Sequence, residues 1–144
     1  MFTQPIKLGS LQIPNRVFLA PLAGVSDVPF RRICREMGAG LAYVEMLSSE
    51  AVNRQTAPTL AMLARHSAED ILGVQVSGPT ALDVARAVGV LHGREFDTID
   101  INMGCSVRKI VGAGWGSAFL KDLERVTSTL ELARQATSKP LSVK

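Results

Sequence analysis

Phe96-Asp97-Thr98-Ile99-Asp100-Ile101-Asn102-Met103-Gly104-Cys105 leads from an apolar run of strand character, Phe96 to Ile101, directly to a thiol. A basic, glycine-rich stretch follows, from Ser106 to Ser117, carrying Arg108, Lys109, Gly112, Gly114, Trp115 and Gly116. A cysteine at the carboxyl end of a strand, on a loop with glycine freedom and positive charge, is placed for chemistry more than for packing. Working outward, the same strand-then-loop rhythm recurs. Val17–Ala20, Leu41–Val44, Ile71–Val76 and Leu141–Lys144 join Thr98–Ile101 as strand candidates. They are separated by about 20–40 residues, the spacing of βα units, which predicts a parallel sheet. The runs read as continuous, as expected for strands covered on both faces.

Helices are expected between the strands. Asp27 and Pro29 start one, in which Phe30, Ile33, Cys34 and Met37 form the apolar stripe and Gly38 and Gly40 mark the end. Thr80 with Asp83 starts a second, its stripe Val84, Ala85, Val88 and Leu91. Asp122 starts a third, with Leu123, Val126, Leu130 and Ala133 facing inward and Pro140 beyond its end. Ser48–Ala64 reads as helical with limits blurred by Pro58. At the front, Ile6-Lys7-Leu8 and Leu11-Gln12-Ile13 flank Gly9-Ser10, a hairpin signal. Five βα-type strands suit either a complete open sheet or the first five strands of an eight-stranded barrel, and periodicity does not choose between them.

The 144 residues suffice for one domain with a core, and 47% apolar with 20% charged residues is ordinary for a globular protein. A net charge of +3 permits an anionic partner such as RNA without demanding one. Cys34 and Cys105 are two lone thiols with no CxxC and no histidine cluster, which argues against a zinc site or any other metal and suits a reducing cytoplasm. Met1 to Lys7 lacks the pattern of a signal peptide, and the apolar runs are too short to cross a membrane.

Each strand delivers a polar residue or a tight turn at its carboxyl end. The first leads into Pro21-Leu22-Ala23-Gly24-Val25-Ser26-Asp27, the second ends in Glu45-Met46, and the third carries Gln75. The fourth leads to Asn102 and Cys105, and the fifth ends in Lys144. Together they suggest one site above the sheet. Cys105 is a small buried residue or a thiol acting as acid or nucleophile, its ionisation set by Arg108 and Lys109. His66 and His92 are distant in sequence, so a Cys-His pair is poorly supported. Gln75 either bonds within the sheet or reads the edge of a heterocycle. Lys144 is a solvated end residue or a cation aimed into the site. Trp115 packs onto the domain or stacks on a base. Arg31, Arg32 and Arg35 read as a solvated helix face, with RNA phosphate as the lesser alternative. Cys34 reads as core packing.

These residues are familiar in combination. Leu19 to Arg31 resembles the opening "APMAGVTDxPFR" of tRNA-dihydrouridine synthases, and Gly38 to Met46 and Gly73 to Gly78 resemble their second and third strands. Asp100 to Cys105, with Lys109, Gly114 and Gly116, resembles the signature "DINxGCPxxKVxxxGxG", and Leu141 to Lys144 the fifth-strand "VTVK". The resemblance implies an α/β fold: the first five βα units of an eight-stranded parallel βα-barrel, or TIM barrel, preceded by an N-terminal β-hairpin. It implies a flavoprotein that reduces uridine in tRNA to 5,6-dihydrouridine. NADPH reduces FMN, the flavin passes a hydride to C6 of the uracil, and a cysteine thiol protonates C5. The acid role falls on Cys105, the FMN contacts on Pro21, Leu22, Ala23, Gln75 and Lys144, and a place beside flavin and uracil on Asn102. Ser106 departs from the family, which has proline there. On this pattern residues 1–144 are the N-terminal portion of a truncated catalytic barrel. Strands six to eight and a helical tRNA-binding domain would lie outside it. The alternatives are a non-catalytic fragment holding part of a flavin and RNA site, and an unrelated five-stranded open domain.

Overall fold

The computed structural model describes residues 2–144; Met1, the start of the stretch read for a leader peptide, lies outside the described residues. In chain order the elements are β1 (Ile6–Leu8), β2 (Leu11–Ile13), β3 (Phe18–Leu19), α1 (Val28–Glu36), β4 (Leu41–Ser48), α2 (Ser49–Arg54) and α3 (Ala57–Met62). Then come β5 (Leu72–Ser77), α4 (Ala81–His92), β6 (Thr98–Ile101), α5 (Arg108–Gly112), a 3₁₀ helix (Gly116–Lys121), α6 (Leu123–Ala136) and β7 (Leu141–Val143). β1 and β2 pair antiparallel across Gly9-Ser10 as expected. The other strands form one sheet in the order β3-β4-β5-β6-β7, every neighbour pair parallel. A doubly wound sheet reverses its strand order at a switch point. Here each new strand adds to the same side, which is how a βα-barrel winds, and the sheet is that of a barrel's first five strands.

The two faces of the sheet differ. Outward, Ala42, Val44, Val74, Val76, Ile99 and Ile101 pack with Val84, Val88 and Leu91 of α4, with Ala133 of α6 and with Phe119. Each large side chain buried there contributes about 1.5–3 kcal/mol. Inward, the alternate positions are polar or small: Tyr43, Gly73, Gln75, Thr98, Asp100, Asn102 and Ser142. The strands read as continuous in sequence because both faces are covered, yet only the outer one is apolar. Ile13 of the hairpin packs with Leu41 and Tyr43 and so closes the start of the inner face. Gly73 leaves room for the Tyr43 ring, since a Cβ there would lie 2.3 Å from Cε1. Burial pushes the Tyr43 phenol above its ordinary value; the neighbouring Ser142 hydroxyl opposes that shift.

The helix starts hold. Asp27 Oδ1 accepts from the Phe30 amide at 3.0 Å, Thr80 Oγ1 from Asp83 at 3.1 Å, and Asp122 Oδ1 from Arg125 at 3.0 Å. Three expectations need correction. Ser48–Ala64 is not one helix: β4 runs on to Ser48, and Gln55, in the left-handed region at φ 49, separates α2 from α3. Pro58 sits in the first turn of α3, where its missing N–H costs nothing. The stripe of α1 is also displaced. Ile33 and Met37 are exposed, Cys34 is only half-buried, and the fully buried residue is Arg31. Arg31 therefore leaves the solvated face assigned to it, because Glu69 supplies a buried partner. Finally, part of the glycine-rich stretch is helical, in α5 and the 3₁₀ helix. Among the described residues, no helix is long and apolar enough to cross a membrane.

Candidate functional site

The carboxyl ends of the five strands bring Pro21–Ala23, Glu45, Gln75, Asn102, Cys105 and Lys144 to one rim. The β3–α1 loop is pinned from two sides. Ser26 Oγ accepts from the Leu22 amide at 2.9 Å, and Glu45 Oε2 accepts from Gly24 N–H at 2.7 Å. Glu45 reaches the loop from a β-bulge, where the register of β4 against β5 shifts between Val44 and Leu47. Such bulges re-aim side chains at sheet rims. Leu22 and Ala23 are left exposed above the inner face.

Gln75 is buried in β5 and uses both ends of its amide: Nε2 donates to Asp100 Oδ2 at 2.6 Å, and Oε1 accepts from Asn102 Nδ2 at 2.8 Å. Of its two open roles, bonding within the sheet is observed directly; one hydrogen and one lone pair remain for another partner. Asn102 Oδ1 accepts from the amides of both Gly104 and Cys105, at 3.0 and 2.9 Å. This turns the chain sharply after β6 and presents a half-buried Cys105. Lys144 is exposed at the end of β7, where its carbonyl accepts from Met103 N–H at 2.8 Å, beside the same turn.

The glycine-rich stretch folds back onto Cys105. Ser117 N–H donates to the Cys105 carbonyl at 2.9 Å. Gly116 lies against that residue at φ +55, and a Cβ would sit 2.6 Å from Cys105 O and 2.8 Å from its Cβ. Gly116→Ala is expected to cost about 1–3 kcal/mol through strain and overlap and to displace the thiol loop. Urea unfolding measures the cost; a change below about 0.5 kcal/mol, the level of an ordinary surface substitution, would contradict the close fit.

Arg108 and Lys109 are exposed on α5, and no hydrogen bond or ion pair links them to Cys105 among the described residues. His66 sits in the α3–β5 loop and His92, bonded to Thr137, at the end of α4, both at the opposite end of the strands from Cys105. Trp115 is half-buried before the 3₁₀ helix. Glu45 was visible in sequence as a strand end, but its bond to Gly24 was not. Asp100, Ser77 and Ser142 lie within the quoted motifs, but the sequence assigns them no role. The signal for them is a period of two inside the strands: Gly73, Gln75, Ser77; Thr98, Asp100, Asn102; Ser142, Lys144.

A parallel sheet wound in one sense, with a half-buried thiol on the carboxyl rim above a polar inner face, has the form of a βα-barrel's first five strands, a fold whose active sites lie at that rim. The family model "Dihydrouridine synthase (Dus)" matches residues 18–144, and the chain belongs to this family. It is 38% identical over 141 residues to tRNA-dihydrouridine synthase B of Pasteurella multocida (strain Pm70), covering 96% of this chain and 42% of that protein. It is 40% identical over 131 residues to a tRNA-dihydrouridine(47) synthase-like protein of Oryza sativa subsp. japonica whose name specifies NAD(P)(+). That match covers 90% of this chain and 19% of the relative. A probable tRNA-dihydrouridine synthase of Rhizobium leguminosarum bv. phaseoli is 34% identical over 134 residues, with 93% and 42% covered. The chain thus spans about two-fifths, or less, of the length of the curated relatives it matches.

Proposed function

We propose that residues 1–144 are the N-terminal portion of the FMN-binding barrel of a tRNA-dihydrouridine synthase, which reduces uridine in tRNA to 5,6-dihydrouridine. The observation that carries this reading is the convergence on one rim of Cys105, Asn102, Gln75, the Pro21–Ala23 loop and Lys144. The rim suits a flavin. Leu22 and Ala23 offer an exposed apolar ledge, Gln75 keeps one donor and one acceptor for a ring edge, and Lys144 adds a cation. Pro21, Leu22, Ala23, Gln75 and Lys144 would hold the group. FMN, reduced by NADPH, supplies the hydride for C6 of the uracil, and that chemistry is the cofactor's own. The chain's residues do the rest. Asn102 holds the Cys105 loop and lies beside the target base, which must leave its stack to reach the rim. The Cys105 thiol gives its proton to C5, and the resulting thiolate takes one back from solvent. Uridine, NADPH and one proton become dihydrouridine and NADP⁺.

A second reading, a non-catalytic chain with only part of the site, is favoured by one observation: among the described residues β3 and β7 each pair on one side only, so the rim is open. A flavin spectrum of the purified chain with FMN decides between them. The first reading expects a bound yellow flavin bleached by NADPH without air, and dihydrouridine appearing in added tRNA by mass spectrometry. Binding without dihydrouridine favours the second, and no binding at all excludes activity for this polypeptide.

A further inference from the structure

We propose that Ser142, Asp100, Gln75 and Asn102 form a hydrogen-bond relay with a single allowed polarity, which makes Asp100 and Asn102 positioning residues for the Cys105 loop. Its functional weight rests on the reading of Cys105 as the acid; the relay itself rests on geometry. At one end stand the amides of Gly104 and Cys105, which can only donate, so Asn102 must turn Oδ1 toward them, as it does at 3.0 and 2.9 Å. That leaves Nδ2 facing Gln75, which must present Oε1, at 2.8 Å. Gln75 then has only Nε2 for its other neighbour, and Asp100 Oδ2 accepts it at 2.6 Å. At the far end Asp100 Oδ1 accepts from the Ser142 hydroxyl at 2.6 Å.

Each amide would in isolation be free to flip. Here the backbone amides fix the chain from one end and the carboxylate fixes it from the other. A flip at either amide would set donor against donor and acceptor against acceptor. Gln75 is 1% exposed and Asn102 4%, so water does not stand in for a lost partner. A second anchor fixes the same turn: Ser77 Oγ donates to the Asn102 carbonyl at 3.0 Å. Strands β5, β6 and β7 therefore act together on the position of one thiol.

The test exchanges the two end groups in the full chain and reads amide hydrogen exchange at Gly104 and Cys105, a measurement that needs neither flavin nor tRNA. Asn102→Asp sets two acceptors face to face against Gln75. It is expected to lower protection of both amides about tenfold, the equivalent of one hydrogen bond. Asp100→Asn alone keeps an oxygen toward Gln75 and a donor toward Ser142, and should leave protection within about threefold. The double variant Asp100→Asn/Asn102→Asp reverses the two bonds made by the Gln75 amide and keeps the Ser142 hydroxyl and the Gly104 and Cys105 amides as donors, so no bond is lost, and it is expected to restore the protection lost in Asn102→Asp. Unchanged protection in Asn102→Asp, or a double variant no better than that single one, overturns the relay. Should Asn102→Asp not fold, a folded double variant supports the relay, and an unfolded double variant beside a folded Asp100→Asn overturns it. An inactive wild-type chain would count against the proposed function and would leave these outcomes readable.

Discussion

Cys105→Ala is expected to lower dihydrouridine formation by about 10²–10⁴-fold, the usual contribution of a positioned general acid, while NADPH still bleaches bound FMN. The substitution is clean for a structural reason. Both bonds that fix this residue are made by its backbone, the N–H to Asn102 Oδ1 and the carbonyl to Ser117 N–H. Alanine keeps both and deletes only the half-buried sulfur. The flavin half of the reaction should survive, because the proposed FMN contacts at Pro21–Ala23 and Gln75 are held by Ser26, Glu45 and Asp100 rather than by the thiol. Separate assays of flavin bleaching and of dihydrouridine in tRNA check the two halves. Loss of flavin reduction along with dihydrouridine would contradict a role confined to proton delivery, and full activity would remove Cys105 from the mechanism.

The parts of the molecule governed by local rules were legible in the chain. Asp27, Thr80 and Asp122 begin helices because a short side-chain acceptor satisfies an otherwise orphaned amide, and that depends on neighbours within three residues. The strands were legible as apolar runs, though their ends moved with pairing: β4 extends past Val44 because β5 offers it partners as far as Ser77. Strand order was legible through the family resemblance and not from periodicity. It depends on which strands neighbour each other, and a barrel start and an open sheet share the same βα spacing. Among the site residues, Cys105 stood out because a thiol after a strand is locally unusual. Gln75 stood out too, as an amide inside an apolar run, but its bonds to Asp100 and Asn102 and the further one to Ser142 did not, because these residues lie on three strands. Arg31 was not legible as a buried residue. Three arginines on one helix read as a wet face, and only the fold shows that Glu69 lies under one of them.

That pair carries the largest expected stability effect. Arg31 and Glu69 are each 1% exposed and meet side by side, Nε to Oε1 at 2.7 Å and Nη2 to Oε2 at 3.2 Å. Replacing Arg31 by alanine leaves the Glu69 carboxylate buried with little more than the His66 N–H for company, and should cost about 3–5 kcal/mol. Against a typical domain stability of about 5–15 kcal/mol, that leaves a thin margin. Arg31→Met/Glu69→Leu removes both charges and should cost clearly less than the single change, as measured by urea unfolding. The double variant should not recover flavin binding to the same extent. Arg31 Nη1 also donates to the Ser26 carbonyl at 2.9 Å, and Ser26 holds the Leu22 amide of the proposed flavin loop. Stability and FMN affinity should therefore part company: the pair replacement regains the first and not the second. A single Arg31→Ala cost below about 1 kcal/mol, the level of an exposed pair, would mean the ion pair is not shielded from water as the fold places it. FMN affinity that returned in step with stability would mean that the loop is held by Ser26 and Glu45 without help from the arginine.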